Sequence, residues 1–241
     1  MSMDYSYSDL AKMIDHSLLN PSLKWADLED GISVALAYDV ASVCIMPFAL
    51  KHCAERLRGS RVRASTTIGF PHGGHTTKIK VTEARQALAD GGEELDMVVN
   101  ISKVLSEDWQ YVRDDIRAVV EETHGANKKV KVIFENAYLN DAQKIRLCEI
   151  CGDLRADWVK TSTGYAPSGC TDADLILMRK HSPSYVQVKA AGGIRDLDAL
   201  LRVRALGVTR CGATRTANMM NEGRLRLGLA PIMVSAATAA D

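Results

Sequence analysis

The sequence predicts a (β/α)8 barrel, the TIM-barrel fold, with an extra N-terminal helix ahead of the first strand. Three observations lead there. Short β-rich runs alternate with segments of helical length, eight times in succession. The 241 residues match the roughly 250 typical of such a barrel. A doubly wound open sheet would want a Gly-rich turn after its first strand, whereas the first strand here runs into HSLLNP, residues 16–21. No Ser/Pro-rich linker, low-complexity block or charge run interrupts the chain. Residues 1–241 therefore read as one domain, with a frayed tail from about residue 232.

In chain order, 4–12 is the extra helix and 13–15 the first strand. Leu28, Ile32 and Leu36 form a helical stripe within 23–38, followed by a strand at 41–46. The third strand is 63–69, and the helix after it, from 77, closes at Gly91. A fourth strand at 94–99 precedes a long helix over 107–125, charged on one side and ending at Gly125. After the fifth strand at 129–135, Asn140 caps a helix that ends at Gly152. The sixth strand is 157–161, and Thr171 caps the helix behind it. The seventh, at 186–190, leads into a helix over 196–207 closed by Gly207, and the eighth is 208–212. All eight are short, β-branched or apolar, and bounded by Gly, Pro, Asn or charge, as buried parallel strands are.

Composition narrows the function. The 30 basic residues balance the 30 acidic ones, which argues against nucleic acid as a partner. No apolar run approaches the roughly 20 residues of a membrane span. The N-terminus, MSMDYSYSDL, offers acids where a secretory signal has basic residues, so the expected location is cytoplasmic. The six cysteines (44, 53, 148, 151, 170 and 211) are then expected as reduced thiols. Cys148 and Cys151 share one helical face and read as core packing before redox or metal chemistry.

Ionisable residues inside buried strands call for an explanation. Asp15, Asp96, Glu135, Lys160 and Lys189 stand out. All but Asp96 are expected at or near the C-terminal ends of their strands, the face where barrel active sites form. Alternation puts Asp96, Val98 and Asn100 on one side, which can be the inside. Lys160 and Lys189 fall on neighbouring strands. Burial and a second cation both disfavour an ammonium, which leaves a free amine able to attack a carbonyl carbon. The blander reading pairs each lysine structurally with Asp96 or Glu135.

The loops after strands six to eight carry the second signal: TSTG (161–164), AAGGIR (190–195) and GATRT (212–216). Glycines let backbone N–H groups approach an anion, and helix N-termini favour it. Gly164, Gly192, Gly193, Gly212 and Thr214 are the nominated phosphate-binding positions, with Arg195 and Arg215 adding charge-assisted bonds. Asp15 and Cys44 are further candidates for the substrate site, although Cys44 also suits a small buried hydrophobe. His16 could line the mouth or be hydrogen-bonded structurally. His72 and His75 lack a third ligand, so no metal site is expected. Trp25, Trp109 and Trp158 are scattered and read as core or interface.

The segments IDHSLLNP (14–21), VCIMP (43–47), TTIGFPHG (66–73), ELDMVVNI (94–101), VKVIFENAYL (130–139), DWVKTSTG (157–164) and VKAAGGIR (188–195) resemble, in order, the deoxyribose-phosphate aldolase family. The resemblance spans about residues 10–216. It implies a Schiff base on Lys160, with Lys189 as its electrostatic and proton-transfer partner. Asp96 would complete a proton relay through water. It further implies reversible cleavage of 2-deoxy-D-ribose 5-phosphate to acetaldehyde and D-glyceraldehyde 3-phosphate. Neither a metal nor an organic cofactor is implied, and a homodimer or homotetramer is. The phosphate would sit on backbone groups at Gly164, Gly192, Gly193 and 212–215. One departure stands out: Gly212-Ala213-Thr214-Arg215 puts a bulky cation where the family commonly has a small hydroxyl. The same imine chemistry on another phosphorylated or acidic sugar therefore stays open. So do a non-catalytic sugar-phosphate-binding barrel and a metal-dependent lyase.

Overall fold

The computed structural model describes residues 4–234. Its strands are β1 (Ile14–Leu18), β2 (Ser42–Ile45), β3 (Arg63–Ile68), β4 (Glu94–Val98), β5 (Lys129–Ile133), β6 (Trp158–Lys160), β7 (Gln187–Ala191) and β8 (Arg210–Ala213). Each pairs in parallel with the next, and β1 closes on β8 through Ile14–Cys211, Asp15–Gly212 and His16–Ala213. The expected (β/α)8 barrel is the observed fold. Its helices are α1 (Tyr7–Ala11), α2 (Trp25–Ala37), α3 (Leu50–Arg56), α4 (Thr77–Ala89), α5 (Ile101–Leu105) and α6 (Trp109–Gly125). They continue as α7 (Asp141–Asp153), α8 (Asp172–His181), α9 (Leu197–Ala205) and α10 (Thr216–Arg226).

Local chemistry accounts for the boundaries. Asn140 and Gln143 form a reciprocal capping box at the start of α7, and the Thr171 hydroxyl accepts from the Asp174 N–H at 3.1 Å to start α8. Gly91 and Gly207, just past α4 and α9, take the left-handed backbone at φ 92° and 85°, as a C-terminal glycine does. Gly152 does not end α7, because Asp153 continues it and Arg155 makes the left-handed turn instead. Helices α3, α5 and α10 gave no signal of the kind followed above. The first two are only 7 and 5 residues long, and α10 mixes its few apolar residues with Asn, Glu and Arg.

Period-2 alternation sorts the strand residues. Ile14, Val43, Leu95, Met97, Val130, Val132, Val159, Val188 and Cys211 are fully buried in the apolar core that includes the helices. Each such side chain contributes about 1.5–3 kcal/mol, which fixes the strand register and so the direction of the intervening residues. Cys148 and Cys151 are free, buried thiols in this core, and burial pushes Cys148 up to about 11. Trp158 is buried within the barrel, Trp109 packs against the core, and Trp25 is exposed.

The tail differs from expectation. Ile232 is tied down, its carbonyl accepting from the Tyr38 hydroxyl at 2.9 Å and its N–H donating to Asn221 at 2.8 Å. The rest of the tail, from 235, lies outside the described residues. No described helix is long and apolar enough to cross a membrane.

Candidate active site

The same alternation that points Leu95 and Met97 outward turns Glu94 and Asp96 into the barrel. There they meet inward residues of the facing strands. Asp96 accepts from three lysine amino groups: Lys131 on Oδ1 at 2.8 Å, and Lys160 and Lys189 together on Oδ2 at 2.7 and 2.8 Å. Lys189 also donates to Asp15 at 2.5 Å, and Lys131 lies 2.6 Å from Glu94. Arg210 bridges Asp15 at 2.6 Å and Glu94 at 2.8 Å, and its guanidinium lies 4.8 Å from the Trp158 ring centroid. Lys160 and Lys189 are register partners on adjacent strands.

Charge balance within this cluster decides which group gives up its proton. Three buried carboxylates (Asp15, Glu94, Asp96) face four buried basic groups (Lys131, Lys160, Lys189, Arg210). One unpaired charge in a dry interior is expensive, so one amine must be the weak base. Burial disfavours every ammonium here. For Lys131 the Asp96, Glu94 and Asp15 charges outweigh burial, and for Lys189 those of Asp15 and Asp96 do, so both are held above the ordinary lysine value. Lys160 has Asp96 alone for an anion. Burial wins, Lys189 adds repulsion, and its pKa is lowered. The carboxylates move the other way: burial raises Asp96, but Lys131, Lys160 and Lys189 hold it well below its ordinary value.

A cavity of about 520 Å³ opens above this cluster at the C-terminal ends of the strands, within the usual size for small-molecule sites. Lys160, Lys189, Asp15 and Cys44 reach its wall, as do Gly164, Gly192, Gly193, Arg195, Gly212 and Thr214. Asp96 and Arg215 are not on the wall. Asp96 lies beneath it, fully buried. Arg215, expected to add a charge-assisted bond to the phosphate, is exposed at the N-cap of α10 and is not among the residues lining this cavity. Gly192 shows why the loop needs glycine: φ is +81°, and an added Cβ would stand 2.7 Å from Gly169 Cα.

Two depths differ from the sequence reading. Asp15 is the second residue of β1, and Lys189 the middle of β7. Both sit a layer below the mouth, because β1 continues through His16 and Ser17 and β7 runs to Ala191. Glu135 pairs with neither lysine; it accepts from the Thr163 N–H at 3.2 Å and from the Thr163 hydroxyl, bracing the loop after β6. His16 points outward, buried against α10, with Nδ1 2.8 Å from the Thr216 hydroxyl, and burial lowers it to about 4. His72 and His75 are exposed, and among the described residues no group of three or more His, Cys, Asp or Glu is set to hold a metal ion.

A family model described as DeoC/LacD family aldolase matches residues 10–215. The chain belongs to the DeoC/LacD aldolases. It is accordingly a lyase of the aldolase type. The deoxyribose-phosphate aldolase of Rhodopirellula baltica is 64% identical over 233 residues, covering 97% of each chain. That of Caldicellulosiruptor saccharolyticus is 40% identical, covering 89% of this chain and 98% of the other. Among solved structures, an aldolase named QR15 superposes with a TM-score of 0.86 at 33% identity, covering 91% of this chain and 97% of that one. A deoxyribose phosphate aldolase from Aeropyrum pernix, described as having a unique tetrameric structure, gives 0.83 at 26% identity, covering 91% and 92%.

Lys131, Glu94 and Arg210 complete the buried charge cluster around Asp96 and Asp15 and are absent from the sequence reading. The signal existed. Lys131 lies two residues before Ile133 and Glu94 two before Asp96, in the inward phase of their strands, but Glu94 opens β4, where a charge reads as a boundary, and Lys131 alternates with Lys129 at the start of β5.

Proposed function

We propose that the chain cleaves 2-deoxy-D-ribose 5-phosphate reversibly to acetaldehyde and D-glyceraldehyde 3-phosphate through an imine on Lys160. The observation that carries this is the shared Asp96 oxygen: it holds the weakly basic Lys160 beside a Lys189 kept protonated, at the floor of a cavity rimmed by glycine loops.

The neutral Lys160 amine adds to the C1 aldehyde of the open-chain sugar, and loss of water gives a protonated imine. A base removes the C3 hydroxyl proton, the C2–C3 bond breaks, and its electron pair flows into the imine to leave an enamine. The three-carbon phosphate departs as an aldehyde. A proton then reaches the enamine carbon, and hydrolysis frees acetaldehyde and Lys160. Lys189, between Asp15 and Asp96, is placed to supply and retrieve these protons through water. Backbone N–H groups at Gly164, Gly192, Gly193 and Gly212, with Thr214 and Arg195, would hold the phosphate. Cys44 would border the reacting carbons as a small, neutral wall, since burial raises its thiol. No step calls for a metal or organic cofactor.

The exposed position of Arg215, off the wall, favours deoxyribose phosphate over a different acidic sugar. The whole chain acting as one catalytic unit, self-association into a homo-oligomer, and a cytoplasmic location complete the proposal. It is tested by kcat/KM across a panel of sugar phosphates with and without EDTA. Deoxyribose 5-phosphate should lead the panel and chelator should leave its turnover unchanged. A faster substrate, or loss of activity with EDTA, would overturn the assignment.

A further inference from the structure

Tyr165 follows the braced Thr163, whose hydroxyl accepts the Tyr165 N–H at 3.0 Å. Its ring stands edge-on to Phe70 with centroids 5.5 Å apart, and its hydroxyl donates to the Leu19 carbonyl at 2.8 Å. Leu19 lies just past β1 and Tyr165 just past β6, and in the closed barrel β7 and β8 stand between those two strands. The bond therefore spans the sector whose loops carry Gly192, Gly193, Arg195, Gly212 and Thr214. Both Tyr165 and Leu19 line the cavity with those residues.

We infer that Tyr165 is a specificity-determining residue: its hydroxyl strap to Leu19 completes a collar around the anion-binding sector and selects substrates that carry a phosphate. The inference rests on the deoxyribose-phosphate reading. A collar holds the loop after β6 against the loop after β1, so the cradle is set before the anion arrives. A sugar without phosphate places nothing in this sector and draws no benefit from the strap.

Tyr165→Phe removes the strap and keeps the ring. The test compares kcat/KM for 2-deoxyribose 5-phosphate with that for unphosphorylated 2-deoxyribose in wild type and variant. The ratio should fall about fivefold in Y165F, the scale of one hydrogen bond's net contribution, mainly through KM for the phosphate. A ratio that stays within about twofold of wild type overturns the inference while leaving the aldolase reading intact. A wild-type enzyme that does not cleave deoxyribose 5-phosphate removes both.

Discussion

Lys189→Met should cut turnover at neutral pH by about 10²–10⁴-fold, the usual worth of a positioned proton donor, and should move the pH profile as well. The sign follows from the cluster. Lys189 is one of the forces lowering the Lys160 pKa, so removing it lets Asp96 pull Lys160 back toward the protonated form. The nucleophile is the neutral amine, and the limb of kcat/KM that rises with pH reports its deprotonation. That limb should shift to higher pH in K189M. Lys189→Arg separates the two roles of the residue. A guanidinium keeps the positive charge but does not give up its proton near neutrality, so the limb should stay near its wild-type position while kcat remains low. A K189M limb unmoved or displaced to lower pH would contradict the electrostatic account.

Asp96→Asn is expected to be the most damaging substitution for stability. It leaves Lys131, Lys160 and Lys189 buried with one anionic partner fewer. Breaking a buried pair from one side costs about 3–5 kcal/mol, and in a chain of this size each kcal/mol lowers Tm by about 2–4 °C. Calorimetry should therefore find Tm lower by roughly 6–20 °C, with turnover falling alongside. The pH dependence has a definite direction. The folded pKa of Asp96 lies below its unfolded value of about 3.9, so its stabilising effect is present above that value and fades as pH falls. The N variant should lose stability less steeply than wild type between about pH 5 and pH 2. Equal Tm for the two proteins would mean that Asp96 does not hold the cluster together.

The sequence made the barrel legible because buried parallel strands are short apolar runs, and eight of them alternate with amphipathic helices. Lys160 and Lys189 were legible for the same reason: an ammonium in such a run has no apolar explanation. The partners of those lysines were harder to see. Glu94 opens β4, where a charge also marks a boundary, and Lys131 follows the basic run at the start of β5; only the inward phase shared with Asp96 and Ile133 marks them as interior. Arg210 opens β8 and stacks on Trp158 from strand β6, a contact that depends on barrel closure and has no local trace. Asp15 lies deeper than a strand over 13–15 implies, because β1 continues through polar His16 and Ser17, of which one faces α10 and the other the cavity. The Tyr165–Leu19 bond joins residues 146 positions apart and becomes visible only when the two loops meet across the mouth.

Borohydride trapping bears most directly on the claim that Lys160 is the reacting amine. Reduction in the presence of 2-deoxyribose 5-phosphate or acetaldehyde, followed by peptide mass spectrometry, should place a stable secondary amine on Lys160, an N-ethyl group in the acetaldehyde case, with inactivation in step. Lys160→Met should neither turn over substrate nor trap it. An adduct on Lys189 or Lys131 in place of Lys160, or full turnover with no adduct on any lysine, would contradict the account.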